Sequence, residues 1–158
     1  MDRVPITPAG AVRMQAELAY LKEVLRPKIV RDIEEARAHG DISENSEYED
    51  AKERQALCEG KIGELTGMVA ALEIIDVAKL PKSDRVVFGT TVEMEDTDSG
   101  ESVQYRIVGN YEADAKAGLI SVTSPIGRAL IGKRKDDEIA VQTPRGTRRF
   151  VINEVHYR

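Results

Sequence analysis

The sequence predicts an α+β protein, an antiparallel helical coiled-coil hairpin followed by a domain with a mostly antiparallel sheet. Three observations carry this. Up to about residue 77, apolar residues recur at steps of three and four, the period of helix faces. Gly40 interrupts that pattern inside a short acidic stretch, and two helical runs joined by so short a connection must fold back on each other. Beyond that point the apolar period shifts toward two. The charge divides at the same place, since the first half carries the net negative charge and the second is close to neutral. Two domains are therefore expected, 1–77 and 78–158.

Thr7-Pro8 fits a helix start, with a capping hydroxyl followed by a proline in the first turn, where a missing N–H costs nothing. One face then carries Val12 or Met14, Leu18, Leu21, Leu25, Ile29, Ile33 and Ala36. Pro27 removes a backbone donor and crowds the preceding turn, so it either kinks or breaks this helix, and the resumption of the stripe beyond it favours a kink. Gly40 suits the left-handed position that closes the helix after His39. The second run, Tyr48, Ala51, Gln55, Cys58, Ile62, Leu65, Val69 and Leu72, reads as a heptad seam. Gly60, Gly63 and Gly67 each weaken a lone helix by roughly 1 kcal/mol relative to alanine, so this helix must lean on the first. Residues 76–90 form a polar, proline-containing connection. Val92–Glu95 and Val103–Val108 alternate around an Asp98-Ser99-Gly100 turn, as a hairpin does. Glu112–Ala117 suits a helical turn ended by Gly118, Leu119–Val122 a short strand, and Pro125 the start of a brief helix. Glu138–Gln142 and Phe150–Val155, joined at Pro144-Arg145-Gly146, complete a second hairpin.

Composition excludes several classes. The chain has 158 residues, 41% hydrophobic and 32% charged, and a net charge of −5, so no overall basic field would hold it on nucleic acid. A single cysteine excludes an intramolecular disulfide framework and a cysteine-rich zinc site. No apolar run approaches transmembrane length, and the first residues lack a signal-peptide core, so a soluble cytoplasmic protein is expected. Cys58 falls on the heptad seam and reads as a core residue. His39 suits the negative end of its helix, and His156 has no implied partner. No serine has a Gly-x-Ser-x-Gly setting and no glycine loop cradles phosphate, so an autonomous acyl-transfer or nucleotide-hydrolysing enzyme is not supported.

The acidic tip stands out. Asp41 and Glu44, three apart, could both face one hard cation. Magnesium is held through one or two carboxylates, keeps several waters, and completes its shell with other groups. The spacing of Asp41-x-x-Glu44 and of Ser46-x-x-Glu49 equally fits helix capping boxes. Arg37, Lys52 and Arg54 flank the tip, where they could contact an RNA backbone or form ion pairs within the hairpin.

Gly40-Asp41-x-x-Glu44-Asn45-x-Glu47-Tyr48 with Cys58-Glu59-Gly60-Lys61-Ile62 resembles the tip and descending helix of the Gre family of bacterial transcript-cleavage factors. Ser121-x-x-Ser124-Pro125-Ile126-Gly127-Arg128-Ala129-Leu130-Ile131-Gly132 resembles the family's second signature, and Tyr105–Gly109 and Glu112-Ala113-Asp114 fit as well. The resemblance covers essentially the whole chain, and the tip flank, without an extended basic patch, is nearer the GreA than the GreB branch. It implies a coiled-coil hairpin on an FKBP-like domain that docks at the rim of the RNA polymerase secondary channel. The hairpin would reach the polymerase active centre, where Asp41 and Glu44 help hold a second Mg2+ and position water. The polymerase, not this protein, would then cleave the 3′ end of backtracked nascent RNA. By the same resemblance Asn45, Glu47 and Tyr48 support the tip, Arg37, Lys52 and Arg54 lie toward RNA, and Ser121, Thr123, Ser124 and Pro125 meet the polymerase. A monomer when free, with no membrane partner and no cofactor of its own beyond the shared Mg2+, is expected. The rival within the same architecture is a channel-plugging inhibitor. Such relatives crowd aspartates where this chain has Ile42 and Ser43.

Overall fold

The computed structural model describes residues 2–40 and 46–158. The chain groups into two compact units, residues 11–72 in one and residues 3–10 with 73–158 in the other. The expected division after residue 77 thus differs from the observed grouping at both ends. A short strand β1 (Val4–Ile6), unforeseen because it is only three residues long and contains Pro5, pairs with β2 (Leu72–Ile74). Thr7 is tied to Glu112, in keeping with the place of residues 3–10 in the second unit.

In the helical unit, α1 (Pro8–Tyr20) continues through a π-helical turn, Leu21–Leu25, into α2 (Arg26–Ala38). The helix runs on past Pro27 without a break, and the backbone takes the proline up in this wider turn. Pro27 stands in the first turn of α2, and the Arg26 N–H reaches back five residues to the Leu21 carbonyl. The turn also keeps the seam in phase. Leu21 and Ile29 are both buried, yet eight regular steps of ~100° would set them about 80° apart. The extra residue taken up by the π turn returns Ile29 to the same face.

The partner helix α3 (Ser46–Ala70) spans 25 residues, about 38 Å at 1.5 Å per residue. Three pairings give its direction. Arg26 meets Glu59, Asp32 meets Arg54, and His39 meets Glu47, so rising numbers on one helix face falling numbers on the other. Ile29, Ile33 and Ala36 are buried on α2, as are Ala51, Cys58, Ile62 and Leu65 on α3. Leu72, expected to end this seam, belongs to β2.

In the second unit a five-stranded sheet has the order β5-β4-β3-β7-β6: β3 (Thr91–Asp96), β4 (Ser102–Val108), β5 (Leu119–Ser121), β6 (Glu138–Thr143) and β7 (Gly146–His156). Only β4 and β5 pair in parallel. The alternation read from sequence sets the inner face, where Val92, Met94, Ile107, Ile139, Val141, Phe150 and Ile152 form a core with Val86, Ile120 and Leu130. Leu130 comes from α4 (Pro125–Leu130), the brief helix expected at Pro125.

Candidate functional site

The structure defines both flanks of the acidic stretch. At the end of α2 the Gly40 N–H donates to the Arg37 carbonyl at 3.4 Å, and Gly40 takes φ 108°, a backbone region open to glycine. Across the connection, α3 opens at Ser46 with Glu47 and Glu49 in its first turn, where the helix dipole favours negative charge. Asp41, Glu44 and Asn45, the first two named as metal donors and the third as tip support, lie outside the described residues. The residues that bracket them can be placed. Glu47 carries a carboxylate 3.6 Å from His39 Nδ1, and Tyr48 is half-buried on α3.

The three basic residues flanking the tip have distinct surroundings. Arg54 Nη1 donates to Asp32 Oδ2 at 3.1 Å, across the hairpin, and that hydrogen bond holds the Asp32 carboxyl below the ordinary aspartate range. Lys52 Nζ donates to Gln55 Oε1 at 3.2 Å, and Arg37 is exposed. Among the described residues, Asp32, Glu35, Ala36, Glu47, Asp50 and Arg54 line an open cleft of about 320 Å³ between the helices, and Lys28 also lies 3.6 Å from the Asp32 carboxylate. Among the described residues no group of three or more His, Cys, Asp or Glu could hold a metal ion.

The seam residue Cys58 is buried, with its sulfur 4.0 Å from the Leu21 carbonyl oxygen at the π turn, beside the bidentate Arg26–Glu59 pair at 2.8 Å. Arg26 holds the Glu59 carboxyl below its ordinary range. His156, for which sequence implied no partner, has one. Its Nε2 lies 2.9 Å from Glu93 Oε2 on the neighbouring strand.

The second group of predicted residues forms the loop between β5 and α4. Ser124 caps α4, accepting from the Gly127 N–H at 3.1 Å while its own hydroxyl donates to the Ser121 carbonyl at 2.7 Å. Pro125 fills the first turn of α4 and is exposed. Gly127 packs so closely on the Ser121 carbonyl that a side chain there would overlap it. The Ser121 and Thr123 side chains converge on Asn110, a residue outside the predicted set.

A second cluster missed in sequence surrounds Glu112. This carboxylate is 4% exposed. It accepts from the Thr7 N–H at 3.1 Å, the Gly109 N–H at 3.0 Å and the Thr7 hydroxyl, and Gly10 leaves room for it. Thr7 in turn accepts from the Gly10 N–H at 3.1 Å, the helix cap expected of it. Thr7 and Glu112 are too far apart in the chain for any spacing rule to connect them.

Comparison with known proteins covers both halves. Residues 4–74 match the family described as "Transcription elongation factor, N-terminal", and residues 80–157 match "Transcription elongation factor, GreA/GreB, C-term". A transcription elongation factor GreA of Anaeromyxobacter sp. (strain K) is 54% identical over 157 residues, covering 99% of this chain and 94% of that protein. A GreA of Haemophilus influenzae is 50% identical, with 99% of each chain covered. The crystal structure of GreA factor homolog 1 from Thermus thermophilus is 29% identical over 98% of this chain and 99% of that one, at a TM-score of 0.43. With both halves matched and half of its residues shared with GreA proteins over nearly its whole length, the chain belongs to the GreA/GreB family of transcription elongation factors.

Proposed function

We propose that this protein is a transcription elongation factor that binds RNA polymerase and stimulates the polymerase's own cleavage of the 3′ end of backtracked nascent RNA. The observation that carries the reading is the hairpin. Two paired helices bring their ends together at a connection whose residues include Asp41 and Glu44, in a chain about half identical to GreA proteins along nearly its whole length.

The chemistry asked of this chain is modest. Asp41 and Glu44 offer hard carboxylate oxygen donors. Two carboxylates suit Mg2+ but fall short of its six oxygens, so the remaining ligands must come from the polymerase and the RNA phosphate. Mg2+ held there would stabilise charge developing on the cleaved phosphodiester. The carboxylates would also accept hydrogen bonds from a water and so orient it. Asn45, Glu47 and Tyr48 would hold the tip in shape, and Arg37, with Lys52, would face RNA. Arg54, engaged by Asp32, would act first by holding the hairpin together. Ser121, Thr123, Ser124 and Pro125 would meet the polymerase at its channel rim. The factor is thus not an enzyme by itself, works with polymerase in the cytoplasm, and is a monomer when free. Among the described residues no helix is long and apolar enough to cross a membrane.

The test follows RNA 3′ ends in backtracked elongation complexes with Mg2+ present. The wild-type protein should shorten the transcripts. Asp41→Ala or Glu44→Ala should slow cleavage on the order of 10²-fold, as expected for several kcal/mol of lost charge stabilisation, while still binding polymerase. Equal cleavage by Asp41→Ala would refute the donor role, and inhibition without cleavage would assign the protein to the channel-plugging class.

A further inference from the structure

We propose that Asn110 is the positioning residue of the loop Ser121–Pro125, an inference that rests on the reading of that loop as the polymerase-docking surface. The Asn110 side-chain carbonyl gathers the Ser121 and Thr123 hydroxyls and holds the loop in the shape its partner recognises.

The geometry is a closed ring of polar contacts. The Ser121 hydroxyl donates to Asn110 Oδ1 over a short contact, and the Thr123 hydroxyl reaches the same oxygen at 2.8 Å. The two hydroxyl oxygens lie 2.9 Å apart, and the Thr123 N–H donates to Ser121 Oγ at 3.1 Å. The far end of the loop is fixed independently by the Ser124 cap and the close packing of Gly127. Thr123, which is exposed, is held by Ser121 and by Asn110, and Asn110 Oδ1 is the atom on which both hydroxyls meet. Asn110 itself is well held. It opens a 3₁₀ turn directly after Gly109, whose N–H is bound by the buried Glu112.

Because Asn110 and Thr123 are exposed, water competes for these hydrogen bonds, and their loss should barely change folding stability. Their value is to order the loop before a partner arrives, which removes an ordering cost from binding. The ring also sets the chemistry on offer. The hydroxyl protons of Ser121, Thr123 and Ser124 are spent inside the loop. The Ser121 and Ser124 oxygens also accept from the Thr123 and Gly127 N–H groups, which leaves the exposed Thr123 hydroxyl oxygen as the acceptor toward a partner. A partner surface with an N–H donor fits that face.

The test uses the full-length protein titrated into backtracked elongation complexes, reading the half-saturating concentration and the maximal cleavage rate separately. Asn110→Ala should raise the half-saturating concentration roughly five- to tenfold, the worth of a lost hydrogen bond or two, with the maximal rate and the unfolding temperature unchanged. Asn110→Asp keeps the acceptor oxygen and should stay within about twofold of wild type. Thr123→Arg, which places a long side chain on the loop surface, serves as the check on docking itself. If Thr123→Arg weakens binding while Asn110→Ala does not, the docking surface stands and the role of Asn110 is overturned. If neither variant changes half-saturation, the docking reading fails and takes this inference with it. If Asn110→Asp is as weak as Asn110→Ala, or if Asn110→Ala lowers the maximal rate, acceptor-based positioning is refuted.

Discussion

Single carboxylates do much of the holding in the second unit. Asp96 is buried and accepts from the Asp98 N–H at 2.9 Å, the Ser99 N–H at 3.2 Å and Arg148 Nη2 at 3.1 Å. Those donors, the two backbone amides first, hold its carboxyl below the ordinary value of 3.8. Arg148 also lies over the Phe150 ring at 4.8 Å. A depressed carboxylate contributes stability that is complete above the unfolded-state value and drains as pH falls through the folded-state one. Asp96→Asn should therefore lower the unfolding temperature at pH 7 and flatten the acid limb below the ordinary aspartate range, checked by thermal melts across pH. Gly10→Ala should cost about 1–3 kcal/mol, because its methyl would overlap the Glu112 carboxylate. In a Glu112→Ala background the same change should cost little, and denaturant titration of the four proteins measures that coupling. Sequence showed Thr7 as a cap and Glu112 as part of a family pattern, but not their contact. Helix capping is a local rule written in neighbouring residues, whereas the partner of a buried carboxylate is chosen by the fold. The Glu93–His156 pair was hidden for the same reason.

Elements were legible where burial repeats. The stripes of α1, α2 and α3 and the alternation of β3, β4, β6 and β7 all follow from side chains facing a core, and the structure has those elements. β1 and β2 were hidden for other reasons, since Pro5 interrupts the one and Leu72 continues the helical seam into the other, whereas the equally short β5 was legible between Gly118 and Pro125. The π turn was illegible for another reason, since Pro27 announces a lost hydrogen bond but not how the backbone absorbs it. Removing the exposed Val24 should turn that segment into regular helix while keeping Leu21 and Ile29 in phase. The proline ring would then meet a carbonyl four residues back, so the deletion alone should cost about 3 kcal/mol. Combined with Pro27→Ala it should recover most of that loss, read by helical circular dichroism through a denaturant titration. A single deletion without penalty would refute the register argument. Along α3, Gly60, Gly63 and Gly67 face open space. Gly63→Ala should accordingly stabilise the protein by roughly 0.5–1 kcal/mol, measured the same way.

At the scale of the whole chain, the change of apolar period from near four to two foretold two kinds of structure. It could not locate their border, because residues 3–10 join the second unit through contacts with residues far along the chain, Ile75 and Glu112 among them. Each unit has its own buried set, so unfolding need not be one cooperative event. Phe150→Ala, a loss of about 3–5 kcal/mol from the sheet core, should accelerate amide hydrogen exchange across residues 91–156 and leave residues 46–70 at their wild-type rates. Uniform acceleration of both would show a single cooperative unit. The acidic stretch was recognisable in sequence through its glycine and paired acids, while Asn110 emerged only once the strand and loop were folded together. The three unobstructed glycines of α3 carry a historical implication. Any glycine codon becomes an alanine codon by one base change, so a stiffer helix lies a single mutation away at each position with no neighbour to repack. Sequences of this lineage can therefore adjust the compliance of the hairpin in small, independent and reversible steps, and comparing glycine content on this helix across growth temperatures would reveal whether they have done so.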